Sequence, residues 1–104
     1  MPVLDRAHFD MMTGGDRALQ LEVLGLFRAQ VDGWSAAFGA CSGWRDMVHT
    51  MKGSARGIGL TALAAACETA EYASETDAAG ALTSVRAALN EALVALEQFA
   101  AEAA

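Results

Sequence analysis

Apolar residues recur along the chain at the three-and-four spacing of helices, and Gly- or Ser-containing breaks separate the runs. Residues 5–12 predict a short first helix. Thr13-Gly14-Gly15 ends it, and Thr13 with Asp16 three positions on resembles a capping box with Asp in place of the usual Glu. A long second helix follows over residues 16–38. Leu24, Phe27, Val31, Trp34 and Phe38 form its apolar stripe, and Leu19, Val23 and Leu26 widen it. The stretch Gly39-Ala40-Cys41-Ser42-Gly43 breaks the pattern, with Ser42 the candidate cap of the next helix.

Residues 44–58 predict a third helix with two distinct faces. Trp44, Met47, Val48, Met51, Ala55 and Ile58 share one of them, which must point inward. Gly59 closes this helix and Thr61 caps a fourth over residues 62–74, whose inner face carries Leu60, Leu63, Cys67 and Ala70. Asp77 caps a last helix over residues 78–101, striped by Leu82, Val85, Leu89, Leu93, Leu96 and Phe99. No segment alternates with the period of two of a half-buried strand. The expected fold is all-α: an antiparallel four-helix bundle with a short additional N-terminal helix. It forms one domain over residues 1–104, without a linker or an internal repeat.

Composition agrees with a helical core, since 54% of the residues are hydrophobic and only one is proline. The net charge of −6 argues against nucleic acid and against anionic lipid as partners. Charge or glycine interrupts every apolar run well short of the about 18 residues that a membrane span needs. The first residues have no basic region followed by an apolar run, so they are not a signal peptide. Cys41 and Cys67 belong to no CxxC or CxxH pair and are expected to be reduced thiols, with Cys67 in the core. The expected location is the cytoplasm, and the apolar stripes suffice for a monomeric bundle, the expected state.

The polar face of the third helix carries the chemistry. Arg45, His49, Lys52, Gly53 and Arg56 lie opposite the apolar stripe, which exposes His49 in the middle of a rigid helix. Lys52, three positions on, brings a cation that would stabilise an anion bound to the ring. Gly53, four positions on, costs about 1 kcal/mol relative to alanine in a helix. In a chain this rich in alanine, the missing side chain reads as clearance for another molecule, with a tolerated surface glycine or a tight internal helix contact as the alternatives. Gly57 is a second such glycine. Arg45 and Arg56 make the face locally basic, suited to an acidic partner. There is no Gly-rich nucleotide loop, no paired carboxylate site, and no Ser or Cys nucleophile with a base. His8, in the first helix, reads as a surface or capping residue.

The stretch His49-Thr50-Met51-Lys52-Gly53-Ser54-Ala55-Arg56-Gly57-Ile58-Gly59-Leu60 resembles the signature of histidine-containing phosphotransfer (HPt) domains. The likeness continues through Leu63, Cys67 and Glu71. Upstream, Gly15-Asp16 with Leu19, Glu22, Leu24 and Phe27 is similar to the family's preceding helix. The resemblance implies a phosphorelay shuttle: His49 accepts a phosphoryl group from a receiver-domain aspartate or a kinase and passes it to another receiver aspartate. It further implies Lys52 as the phosphoryl-stabilising cation and Gly53 as the clearance for the receiver's loop; Arg45 and Arg56 join Gly53 as the partner-facing residues expected from the basic face. Response-regulator receiver domains, and a hybrid sensor histidine kinase, are the implied partners. No cofactor is implied for this chain, because the magnesium ion of such transfers sits in the receiver. Glu71, Thr69 and Glu68 are candidates for the residue that orients the imidazole.

Two other readings stay open. One is a non-catalytic bundle that binds or scaffolds a receiver. The other is a phosphorylatable domain cut from a larger hybrid or chemotaxis-type kinase, although Met1 favours a free-standing protein. The dimerisation helix of a sensor kinase fits less well. Its histidine is followed by an acidic residue and then a proline, whereas here Thr50 follows His49 and Pro2 is the sole proline. Without an ATP-binding domain, autophosphorylation is not expected.

Overall fold

The computed structural model describes residues 1–38 and 43–102, with the side chains of 36–38 outside that set. Among the described residues are five helices and no strand: α1 Arg6–Thr13, α2 Arg17–Phe38, α3 Trp44–Ile58, α4 Thr61–Glu71 and α5 Ala78–Glu102. The predicted helices are all present, and α3 has the predicted bounds. The stretch 39–42 lies outside the described residues, and with it the predicted break, the Ser42 cap, Cys41 and the Phe38 side chain.

The helix ends show where local chemistry departs from the sequence reading. Asp5 caps α1 by accepting the His8 N–H at 3.1 Å. Gly14 ends α1 in the left-handed region, at φ +61°. Thr13 belongs to the last turn of α1, and its hydroxyl donates back to the Phe9 carbonyl at 2.8 Å. The expected Thr13–Asp16 capping box is therefore absent; Asp16 itself caps α2 by accepting the Leu19 N–H at 3.1 Å. Gly59 closes α3 at φ +95°. Thr61 is the first residue inside α4 rather than its cap, and Leu60 holds the cap position without a side-chain bond. Helix α4 ends at Glu71, three residues earlier than expected. The Asp77 carbonyl accepts the Ala81 N–H at the start of α5, while its carboxylate takes the Ser74 hydroxyl at 3.1 Å.

Helices α3 and α4 form a tight antiparallel hairpin, α5 packs along α4, and α2 closes the bundle against α3 and α5. Val48, Met51, Leu63, Cys67 and Val85, fully buried, make the centre of the core. Phe27 and Trp34 meet edge to face at 5.8 Å, as do Phe9 and Phe99 at 5.2 Å. The N-terminal segment is strapped over the α3–α4 turn: the Asp5 N–H donates to the Gly59 carbonyl at 2.7 Å, and the Ala62 N–H to the Pro2 carbonyl at 3.1 Å. This seats Phe9 in the core. The α2 stripe is narrower than expected, because Leu19 and Leu26 remain exposed while Val23 is half-buried. No described helix is long and apolar enough to cross a membrane.

Candidate functional site

Helix α3 turns Met47, Val48, Met51 and Ala55 into the core and so presents His49 outward, its side chain 67% exposed. The antiparallel turn at Gly59 brings the last residue of α4, Glu71, back beside it. One carboxylate oxygen, Oε1, lies 2.6 Å from His49 Nδ1. The other, Oε2, accepts from Lys52 Nζ at 2.6 Å. A single carboxylate thus joins the imidazole to the ammonium. An ionised Glu71 can only accept, so Nδ1–H is the donor, and in the neutral ring the lone pair then lies on Nε2.

The electrostatics reinforce that assignment. The hydrogen bond from Lys52 holds the Glu71 carboxyl below the usual carboxylate range; partial burial opposes this, and the bond with His49 adds to it. The same Glu71 bond raises the Lys52 ammonium above its ordinary value. Both groups are therefore charged around neutral pH.

Lys52 differs from its predicted setting. It was expected on an open polar face, yet it is only 7% exposed. Three positions after His49 the side chain leans toward α4, so Glu71 and the Tyr72 ring, 5.7 Å from Nζ, cover it. Beneath it Cys67 is fully buried, and burial pushes its thiol up to about 12, which keeps it protonated and inert.

The other members of the polar face separate. Arg45 turns inward: its guanidinium donates to the carbonyls of Glu71 at 2.5 Å and Ala73 at 2.7 Å and stacks over Trp44 at 4.3 Å. Arg56 stays on the surface, 3.7 Å from Glu68, with both side chains more than half exposed. A Cβ at Gly53 or at Gly57 would meet nothing within 4 Å. Open space at Gly53 rules out a tight internal contact and fits both docking clearance and a tolerated surface glycine; Gly57 opens outward in the same way. Gly57 and Ser54 continue into an apolar groove of about 800 Å³, walled by Phe9, Met12, Val23 and Leu26.

Of the three candidates for orienting the ring, Glu71 makes the contact, Glu68 pairs with Arg56, and Thr69 is exposed. Among the described residues, no group of three or more His, Cys, Asp and Glu side chains is arranged to hold a metal ion.

The family model of the Hpt domain matches residues 22–102, from the first third of α2 to the end of α5. The chain belongs to the Hpt domain family. Hpt domains carry out phosphotransfer in two-component signalling and interact with receiver domains in phosphorelays. Helix α1 lies outside the matched residues. Comparison with curated proteins and with solved structures gives no significant match.

Proposed function

We propose that His49 is the phosphoryl acceptor and donor of this Hpt domain, working through Nε2. The observation that carries this reading is the Glu71 bridge, which occupies Nδ1 of an otherwise exposed imidazole. The Nε2 lone pair attacks the phosphorus of an aspartyl phosphate on a receiver domain. The phosphorus–nitrogen bond forms, the phosphorus–oxygen bond breaks, and the receiver's aspartate leaves as a carboxylate. The ring keeps its Nδ1 proton, so it becomes positively charged, and the Glu71 carboxylate stabilises that charge. Attack on Nε2-bound phosphorus by a second receiver's aspartate runs the same steps in reverse.

Lys52 is the cation of the site. Its ammonium has three N–H donors and Glu71 takes one; the others reach a phosphoryl oxygen once the side chain moves out from under the Tyr72 ring. Gly53 and Gly57 give the receiver's loops room to bring their phosphate to the ring. The groove beyond them accepts an apolar part of the receiver. Leu26, 64% exposed on its wall, forgoes much of the roughly 1.5–3 kcal/mol that full burial of such a side chain gives. Arg56 supplies a positive rim toward an acidic partner. Magnesium belongs to the receiver's own carboxylate site, and this chain needs no cofactor. An acidic chain with an exposed phosphoacceptor fits a cytoplasmic relay monomer.

The test is label transfer. A receiver domain carrying labelled phosphate is mixed with the chain, and the expected product is an acid-labile, base-stable phosphate on the chain, absent in His49→Gln. Binding without transfer would overturn the relay and leave the non-catalytic receiver-binding bundle.

A further inference from the structure

We propose that Arg45 is a positioning residue for the relay, acting inward through Glu71, and not a docking charge. The proposal rests on the reading of His49 given above. Helix ends leave backbone carbonyls without intrahelical partners. Helices α1 and α3 solve this with left-handed glycines, Gly14 and Gly59. Helix α4 has no such cap. It ends on Tyr72 at φ −101°, outside the left-handed region, with the Tyr72 N–H 3.4 Å from the Glu68 carbonyl and the Ala73 N–H 3.2 Å from that of Ala70.

The residue at this weakly closed end is Glu71, whose two oxygens must meet His49 and Lys52 at once. Arg45 closes the end from outside. One guanidinium nitrogen takes the Glu71 carbonyl and another the Ala73 carbonyl, bracketing Tyr72. The guanidinium sits over the Trp44 ring, 4.3 Å from its centroid. Arg45 sits one turn before His49 on α3, so it fastens the orienting carboxylate to the helix that carries the nucleophile. A lysine could not replace it, because a single ammonium cannot span two carbonyls in a fixed plane.

Arg45→Lys in the full chain separates the two roles, since it keeps the charge and removes the fork; Arg45→Met removes both. Three quantities are read on each: the ring nitrogen shifts of ¹⁵N-labelled His49, the affinity for the receiver, and the transfer rate. The expected result is that both variants lose the Nδ1-protonated signature and transfer about tenfold more slowly, the lower end of the loss seen when the orienting partner of a metal-ligating histidine is removed. Receiver affinity stays at the wild-type level, and the amide spectrum of the core is unchanged. Wild-type ring shifts and rate in Arg45→Lys would overturn the proposal. So would weakened receiver binding with the ring signature intact, which is the mark of a docking charge. If the wild-type chain accepts no label at all, the relay reading falls, and the ring shifts still decide the role of Arg45.

Discussion

Beside His49, the missing side chain of Gly53 leaves open space. Beside His8, a Cβ on Gly59 would meet the imidazole Cδ2 at 3.1 Å and the Asp5 carbonyl oxygen at 3.0 Å. Both pairs put a glycine next to a histidine on or at the end of a helix, yet they are built for opposite ends. His49 is exposed and has a carboxylate on Nδ1. His8 is half-buried against the α3–α4 turn, and its Nε2 is buried with no hydrogen-bond partner among the described residues. The first pair keeps a nitrogen available to another molecule. The second fills space, and its glycine is required by the backbone at φ +95°. Residue type alone does not separate the two; what the second nitrogen meets does.

The sharpest break in the comparison comes from removing each imidazole. His49→Gln is expected to abolish labelling by a phosphorylated receiver, whereas His8→Gln retains it. Equal loss in both would erase the distinction. Next in size, Gly53→Arg should slow transfer roughly tenfold or more by holding the receiver away from the ring. Its melting temperature should not fall, because a Cβ there meets nothing and helix propensity favours the change. Unchanged transfer would remove the role given to the open notch.

Gly59→Ala reverses that pattern. It forces a side chain into the left-handed region against Asp5 and His8, at a cost of about 1–3 kcal/mol. Thermal unfolding should register this as a drop of several degrees, while transfer per folded molecule is unchanged. A melting temperature equal to the wild type would mean the second pair is not structural.

The smallest expected effect is the pH dependence of the bridge. Glu71 is depressed in the folded state, so its contribution to stability is present above the usual carboxylate range and is lost as pH falls through the lowered value. Lys52 is raised, so its contribution is complete below the usual lysine range and is lost as pH rises through the raised value. Urea midpoints should therefore be insensitive to this pair around neutrality and decline at both extremes, and Glu71→Gln should shrink the acid-side decline, leaving the part owed to Glu102, which Arg6 also holds low. An acid limb unaltered in Glu71→Gln would show that the bridge carries no linkage.

Much of this was legible before any coordinates. The apolar stripe of α3 gave its bounds and the exposure of His49, because a strict helical period leaves one face only for the core. Lys52 was misplaced because its burial comes from α4, and the period of α3 carries no information about which neighbour covers its edge. The choice of Glu71 over Glu68 and Thr69 needed the register of the antiparallel hairpin, which the turn at Gly59 sets. Arg45 pointed inward for the same reason: its partners are backbone carbonyls of another helix, and no side-chain pattern marks those. Leu19 and Leu26 share the spacing of the α2 stripe yet border a groove, since spacing alone does not separate an apolar residue that lines a groove from one that fills the core. Thr13 failed as a cap because the two left-handed glycines after it leave it in the last turn of α1.

The central claim is that Glu71 reserves Nδ1 and leaves Nε2 of His49 as the nucleophile. Nuclear magnetic resonance of the ¹⁵N-labelled chain, phosphorylated by a receiver, reads directly which ring nitrogen couples to phosphorus. Coupling to Nε2 of His49, with Nδ1 still protonated, is the expected result; coupling to Nδ1, or phosphorus on any other residue, would contradict the account.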